Sequence, residues 1–429
     1  MLFFLYRTLF TIIFIPGLIV FVFYVLITGK HRHGFLQRLG FLPARLRQEN
    51  TAGCIWFHTV SAGEILIADA LIREWRNHDP DLKVILSVIN ETGYRLAQEK
   101  GYEEALFYLP ADLYWIIRRT VRRLAPKALV LIETELWPGL IHAAARSGCR
   151  CYLVNGRISP KNLRRSWRFR FFFRDALKPI EFFFMQSRID AKRIFQLGAD
   201  RSKVRVIGNV KFDKPARTIT GEDKREIRKK LGIDPDKTRI IVIGSTHPTE
   251  EEKILGAFRK ILEKHSDALL ILAPRHVKRR DEIIPLIEKE NLSWACWSSM
   301  NGRRTNVVLV DTMGELEYFY SIAHVVFVAG SLASIGGHNL IEPALLEKPI
   351  LFGPHMENFK EVSRLFVAHQ AAIQVRDADE LTEKILMLLD NDEQCMRMSR
   401  KARRLALANQ GAVRKTITAI MENLKSKTA

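Results

Sequence analysis

Apolar positions along the chain fall into short unbroken runs separated by stretches with a helical period. Cys54–Thr59, Val84–Ile89, Leu106–Leu109, Ala128–Ile132, Cys151–Val154 and Glu181–Met185 read as strands. Gly63–Arg76 and Thr92–Lys100 read as helices, with further helical patterns between the other strands. The pattern then restarts. Arg239–Gly244, Ala268–Ala273, Val307–Val310, Val325–Val328 and Pro349–Phe352 are strands, and Glu250–Lys264, Lys278–Glu290 and Gly314–Ile322 are helices between them. A strand that is apolar at every position is buried on both faces, so the pattern predicts parallel sheets covered by helices on both sides. A turn-rich stretch, Gly208–Asp223 with Pro215, Thr218, Thr220 and Gly221, reads as a hinge. The expected architecture is α/β, with two doubly wound domains at 31–214 and 215–410. Helices over Asp379–Asp390 and Asp392–Asn409 close the second, and Ala412–Lys425, within 411–429, is placed to pack back across the cleft. Such sheets bind ligands outside the carboxyl ends of their strands, so chemistry is expected in the turns that follow them.

The start of the chain follows a different pattern. From Leu9 to Ile27 there is no charge, and at about 1.5 Å per residue the run nearly covers a ~30 Å hydrocarbon core. Pro16–Gly17 would kink a helix there. Residues 1–30 are therefore predicted to anchor the chain in a membrane. Lys30, Arg32, Arg38, Arg45 and Arg47 follow the run while only Arg7 precedes it, which puts the body of the protein on the cytoplasmic side. At 429 residues, 47% of them hydrophobic, two full cores can be built. An excess of 67 Lys+Arg over 47 Asp+Glu, a net +20, points to an anionic membrane surface, acidic substrates or nucleic acid. Five scattered cysteines form neither a zinc pattern nor a disulfide framework.

The turns after the strands hold the candidate chemistry. HTVSAGE places Glu64 in the first turn of a helix, where a carboxylate can act as a general base or simply cap the helix. ETELWP sets Glu133 and Glu135 two apart at a strand end; one is free to cap and the other to orient substrate or a lysine. GNVKFD brings Lys211 to the hinge. GSTHPTEEE presents Ser245 and His247, APRH presents Arg275, whose guanidinium can fork onto a phosphate, and DTMGEL is a turn of the size that holds a base. FVAGSLASIGGHNLIEPALLEKPILFGP breaks a strand into Gly330, Ser331, Ser334, Gly336 and Gly337 and reads as a helix start at His338 and Asn339. Its backbone N–H groups make a seat for a phosphate, with Glu342 one turn on for a sugar hydroxyl. NGRISPKNLRRSWRFRFFFRDALK interleaves Arg164, Arg165, Arg168 and Arg170 with Trp167, Phe169, Phe171, Phe172 and Phe173. A basic, aromatic stretch suits an interfacial patch for a phosphorylated, acylated lipid, or single-stranded nucleic acid.

Taken in this order and spacing, HTVSAGE, ETELWP, NGRIS, GNVKFD, GSTHPTEEE, APRH, GSLASIGGHNLIEP and GPHMENF resemble the 3-deoxy-D-manno-octulosonic acid (Kdo) transferase family of lipopolysaccharide biosynthesis. The resemblance covers essentially the whole chain. It implies a GT-B glycosyltransferase fold of two Rossmann-like domains, with the acceptor bound by the first and CMP-Kdo by the second. Carried over position by position, it implies Glu64 as catalytic base, with Glu133 and Lys211 also needed. The CMP-Kdo site would take Ser245, Pro274, Arg275, Met313, Gly314, Glu315, Gly337, Asn339, Leu340, Ile341 and Glu342. No metal and no other cofactor are expected. The expected partners are CMP-Kdo, the lipid A precursor lipid IVA and the bacterial inner membrane, and not nucleic acid, which would leave the second domain's turns without a purpose. A membrane-associated GT-B transferase using a UDP-sugar is the nearest alternative.

Overall fold

The computed structural model describes Ile27 and residues 34–160, 163–164, 170–213, 217–234 and 237–426. The chain divides into two compact units, one of residues 1–213 and 410–429 and the other of residues 214–409. The predicted anchor lies outside the described residues apart from Ile27. Among the described residues no helix is long and apolar enough to cross a membrane.

The first unit holds β1 (Ile55–His58), β2 (Val84–Val88), β3 (Leu106–Tyr108), β4 (Ala128–Ile132), β5 (Arg150–Gly156), β6 (Ile180–Met185) and β7 (Val204–Val206). They form one sheet in the order β3-β2-β1-β4-β5-β6-β7, parallel throughout. Alternate residues of each strand enter different cores. Trp56, Ile85, Leu129, Leu131 and Leu153 pack in one, while Ile55, Phe57, Leu86, Val130 and Tyr152 pack in the other. Both faces of the sheet are thus buried, which is why the strands carry no polar–apolar alternation. The last helix, Ala412–Lys425, adds Val413, Ile417 and Ile420 to the second of these cores.

The second unit holds β8 (Ile240–Thr246), β9 (Leu269–Pro274), β10 (Trp294–Cys296), β11 (Val307–Leu309), β12 (Val325–Val328), β13 (Ile350–Phe352) and β14 (Ile373–Gln374), ordered β10-β11-β9-β8-β12-β13-β14 and again all parallel. The strands missing from the sequence reading, β7, β10 and β14, all lie at sheet edges. They are two or three residues long and mostly half-buried or exposed, so they leave no apolar run to detect.

Candidate active site

In the first unit the strand order reverses between β1 and β4, and the acids leave from these two strands. After His58 the chain turns into the helix Ala62–His78. Glu64, the third residue of that helix, folds back on the turn. Its Oε2 accepts from the Val60 N–H at 2.7 Å and its Oε1 from the Ser61 hydroxyl at 3.1 Å. The carboxylate is thus a helix cap, yet each oxygen keeps a second lone pair. At 6% exposure, burial pushes its pKa up to about 8; the Val60 N–H pulls the other way, and the charges of Glu135 and Glu133 add to the rise.

The two acids of ETELWP separate in role. Glu135 Oε2 accepts from the Trp137 indole N–H at 2.9 Å, and Trp137 meets His58 edge-on with ring centroids 6.1 Å apart. Glu133 sits at a left-handed φ of 57°, a conformation that costs a non-glycine residue about 1–3 kcal/mol and that concentrates at functional sites. Its charge acts on Lys211. That lysine arrives on the short turn Val210–Asp213, which a chain of amides fixes. Asn155 Oδ1 accepts from the Val210 N–H at 3.1 Å and Asn209 Oδ1 from the Lys211 N–H at 3.0 Å. Asn209 Nδ2 donates to Gln186 Oε1 at 3.0 Å, and Gln186 Nε2 donates to the Asn155 carbonyl at 2.9 Å. Burial lowers the Lys211 pKa, while Glu133 and Glu64 oppose the fall and Arg157 adds to it. His58 Nε2 and Asn155 Nδ2 are buried without a hydrogen-bond partner among the described residues. At the end of the turn Asp213 accepts from the N–H groups of Gly411 and Val413 at 2.6 and 2.5 Å, capping the last helix.

In the second unit the order reverses between β8 and β12. Ser245 has a φ of 65° near the end of β8, and Pro274 ends β9. The Arg275 N–H donates to the Thr246 carbonyl at 3.0 Å, which fixes Arg275 at the carboxyl edge with its side chain exposed. One buried acid ties the turns together. Glu250, 1% exposed, accepts from the N–H groups of His247 at 2.9 Å, Gly330 at 2.6 Å and Ala333 at 3.4 Å. Beside it His247 and His338 stack with rings 4° from parallel and Nε2 atoms 2.8 Å apart. Burial lowers both imidazoles, His338 to about 4, and Arg275 and His276 act in the same direction. Burial thus favours the uncharged form of each ring, and the short Nε2–Nε2 contact fits one Nε2–H donating to the other Nε2. Gly330 is required here: a Cβ would stand 2.8 Å from His338 Cδ2.

The helix expected to start at His338 and Asn339 begins instead at Ile341 and ends at Leu345. Pro343 is the third residue of this helix, where its missing N–H is one of those that have no intrahelical partner in any case. Gly337, Asn339 and Leu340 belong to the turn. Asn339 Oδ1 accepts from the Ile341 N–H at 3.0 Å and its Nδ2 donates to Glu342 Oε1 at 3.2 Å. With five helical residues this helix contributes little dipole at its start. In the turn after β11, Glu315 accepts from Trp297 Nε1–H at 3.1 Å and from the Thr312 hydroxyl, so its carboxylate braces the turn. Arg217 donates to the Gly314 carbonyl at 3.0 Å, and Met313 is exposed.

Glu250→Ala would leave three backbone N–H groups without their acceptor. At about 1–3 kcal/mol for each buried donor, the second unit is expected to lose roughly 3 kcal/mol or more, read as a lower denaturant midpoint at unchanged m-value.

The comparisons with known proteins bear on these two strand edges. Residues 33–214 match the family described as 3-Deoxy-D-manno-octulosonic-acid transferase (kdotransferase), and residues 223–405 match Glycosyl transferases group 1. A 3-deoxy-D-manno-octulosonic acid transferase of Haemophilus influenzae is 30% identical over 90% of this chain and 91% of its own. The chain belongs to the Kdo transferase family. It is a glycosyltransferase. A bifunctional glycosyltransferase/methyltransferase of Fusobacterium nucleatum is 33% identical over 87% of this chain, which spans 58% of that protein's length. Among solved structures, Anabaena Alr3699/HepE in complex with UDP has a TM-score of 0.56 at 13% identity, covering 87% of this chain and all of that one. The likeness shows a shared two-domain α/β fold.

For this Kdo transferase family member, the structure brings Glu64, Glu133 and Lys211 to one edge of the first unit. It sets Ser245, Pro274, Arg275, Met313–Glu315, Gly337 and Asn339–Glu342 at the strand ends of the second and in the turns and short helix that follow them. The basic, aromatic stretch is divided. Arg165, Trp167, Arg168 and Phe169 lie outside the described residues. In the helix Arg170–Leu177, Phe171 is exposed under the Arg170 guanidinium, 5.0 Å from its ring. Phe172 and Phe173 are half-buried, and Phe173 packs on the core, so the two do not form an open lipid-facing run. Glu250, Asn155 and the His247–His338 pair were missed in the sequence. Glu250 is one of three consecutive acids, and nothing in the run distinguishes the buried hub from Glu252 on the surface.

Proposed function

We propose that the chain transfers Kdo from CMP-Kdo to the lipid A precursor lipid IVA in lipopolysaccharide biosynthesis, with inversion at the anomeric carbon. The observation that carries the reading is Glu64, a buried carboxylate whose pKa is pushed up to about 8, set beside Glu133 and Lys211 at the switch point of the first sheet. A base of that pKa takes a proton from an alcohol at neutral pH more readily than a solvated carboxylate does. In the proposed step Glu64 removes the proton from an acceptor hydroxyl, and the oxygen attacks the anomeric carbon of Kdo. The bond from that carbon to the phosphate oxygen breaks, and CMP leaves with both electrons. Lys211, whose charged form Glu133 favours against the effect of burial, supplies a cation for an anionic group of a substrate.

The donor reading assigns the phosphate to Arg275 and the turn at Gly330–Gly337, the ribose to Glu342, and the base to Met313–Glu315. Arg217 fixes the Gly314 carbonyl in that last turn. Fixed cations and backbone donors in this role replace a metal, so none is assigned. The +20 charge suits an anionic, phosphorylated acceptor, and the apolar N-terminus suits a chain held at the cytoplasmic face of the bacterial inner membrane. CMP is expected to raise the unfolding temperature where UMP at equal concentration does not. Protection by UMP alone would favour a UDP-sugar transferase.

A further inference from the structure

The helix Tyr114–Leu124 (YWIIRRTVRRL) separates its residues cleanly. Tyr114, Ile116, Ile117, Thr120, Val121 and Leu124 are buried, whereas Trp115, Arg118, Arg119, Arg122 and Arg123 are exposed. The exposed positions are spaced i, i+3, i+4, i+7 and i+8, so they form one stripe. It carries four guanidiniums and no acid, and none of the four is in an ion pair among the described residues. Trp115, near the N-terminal end of this helix, is 62% exposed. Gly40 lies against this helix, a Cβ there standing 2.5 Å from Ile116 Cγ2, and the next residue, Phe41, is 54% exposed. Residues 28–39 separate this segment from the charge-free run Leu9–Ile27. None of these residues has a place in the proposed sugar transfer.

We infer that the Trp115–Arg123 stripe, with Phe41, is a docking surface for an anionic phospholipid bilayer. The arginines meet headgroup phosphates and the indole and phenyl rings enter the interface. The occupant follows from the chemistry. An unpaired arginine row with an aromatic at one end matches the depth order of a bilayer, charge outside and apolar below. The inference stands apart from the identity of the sugar donor, and its test reads no sugar transfer.

The full chain is mixed with vesicles whose acyl chains are brominated, made of phosphatidylcholine alone or with phosphatidylglycerol. Trp115 is isolated as the fluorescence difference between wild type and Trp115→Phe. Each arginine is worth about a fivefold change in partition onto an anionic surface. The Trp115 component should therefore be quenched strongly in phosphatidylglycerol vesicles and at least several-fold less in phosphatidylcholine. Changing Arg118, Arg119, Arg122 and Arg123 to Gln should remove the difference between the two lipids. These side chains are exposed, so the variant is expected to fold, as circular dichroism checks. Quenching that is absent, equal in the two lipids, or unchanged in the arginine variant overturns the proposal, as does a Trp115 component that responds to RNA and not to lipid.

Discussion

Glu64→Gln should lower transfer from CMP-Kdo to lipid IVA by about 10²–10⁴-fold, the range of a positioned general base. The substitution keeps an oxygen to accept from the Val60 N–H and removes only the charge and the basicity, so the turn and the helix Ala62–His78 should persist. The wild type also has a pH signature. Its kcat/KM should rise with pH toward about 8 as Glu64 ionises, and the variant should lack that limb. The stability effect has the opposite sign. A carboxylate whose folded pKa exceeds its unfolded value favours the folded state in its protonated form. Stability should therefore fall as pH rises from the ordinary carboxylate range to about 8, and the fall should be shallower in Glu64→Gln. Activity near wild type in the variant would leave Glu64 as a cap only.

Arg275→Ala should cost about 10²–10³ in kcat/KM for CMP-Kdo, the scale of one lost contact to developing negative charge. Its backbone N–H, not its side chain, holds the Thr246 carbonyl, so removing the exposed guanidinium should leave the edge of β8 and β9 in place. An unchanged midpoint in thermal unfolding checks this, and binding of lipid IVA should not move. A variant with normal donor kinetics would transfer the phosphate role elsewhere at this edge.

Much of this was legible before any coordinates. Fully apolar strands such as Ala128–Ile132 and Val325–Val328 require cover on both faces; both lie inside their sheets and are fully buried, and Ala128–Ile132 sends alternate residues into different cores. The places of Glu64 and Glu133 after strands and of Lys211 in the hinge were readable from short motifs, while the roles proposed for them came from the family resemblance alone. What was hidden depends on contacts distant in sequence. Asn155 meets Val210, Glu250 meets Gly330, and His247 meets His338, and no local period records which residues the fold will join. The helix start expected at His338 and Asn339 lies at Ile341, and Asn339 Oδ1, accepting from the Ile341 N–H, holds the turn before it.

The most direct test of the account is mass spectrometry of the lipid after the full chain is incubated with CMP-Kdo and lipid IVA. The account expects lipid IVA heavier by whole Kdo units, with CMP released in step and no such product from Glu64→Gln. Lipid IVA of unchanged mass with CMP-Kdo, together with a glycosylated product when a UDP-sugar is supplied instead, would contradict it.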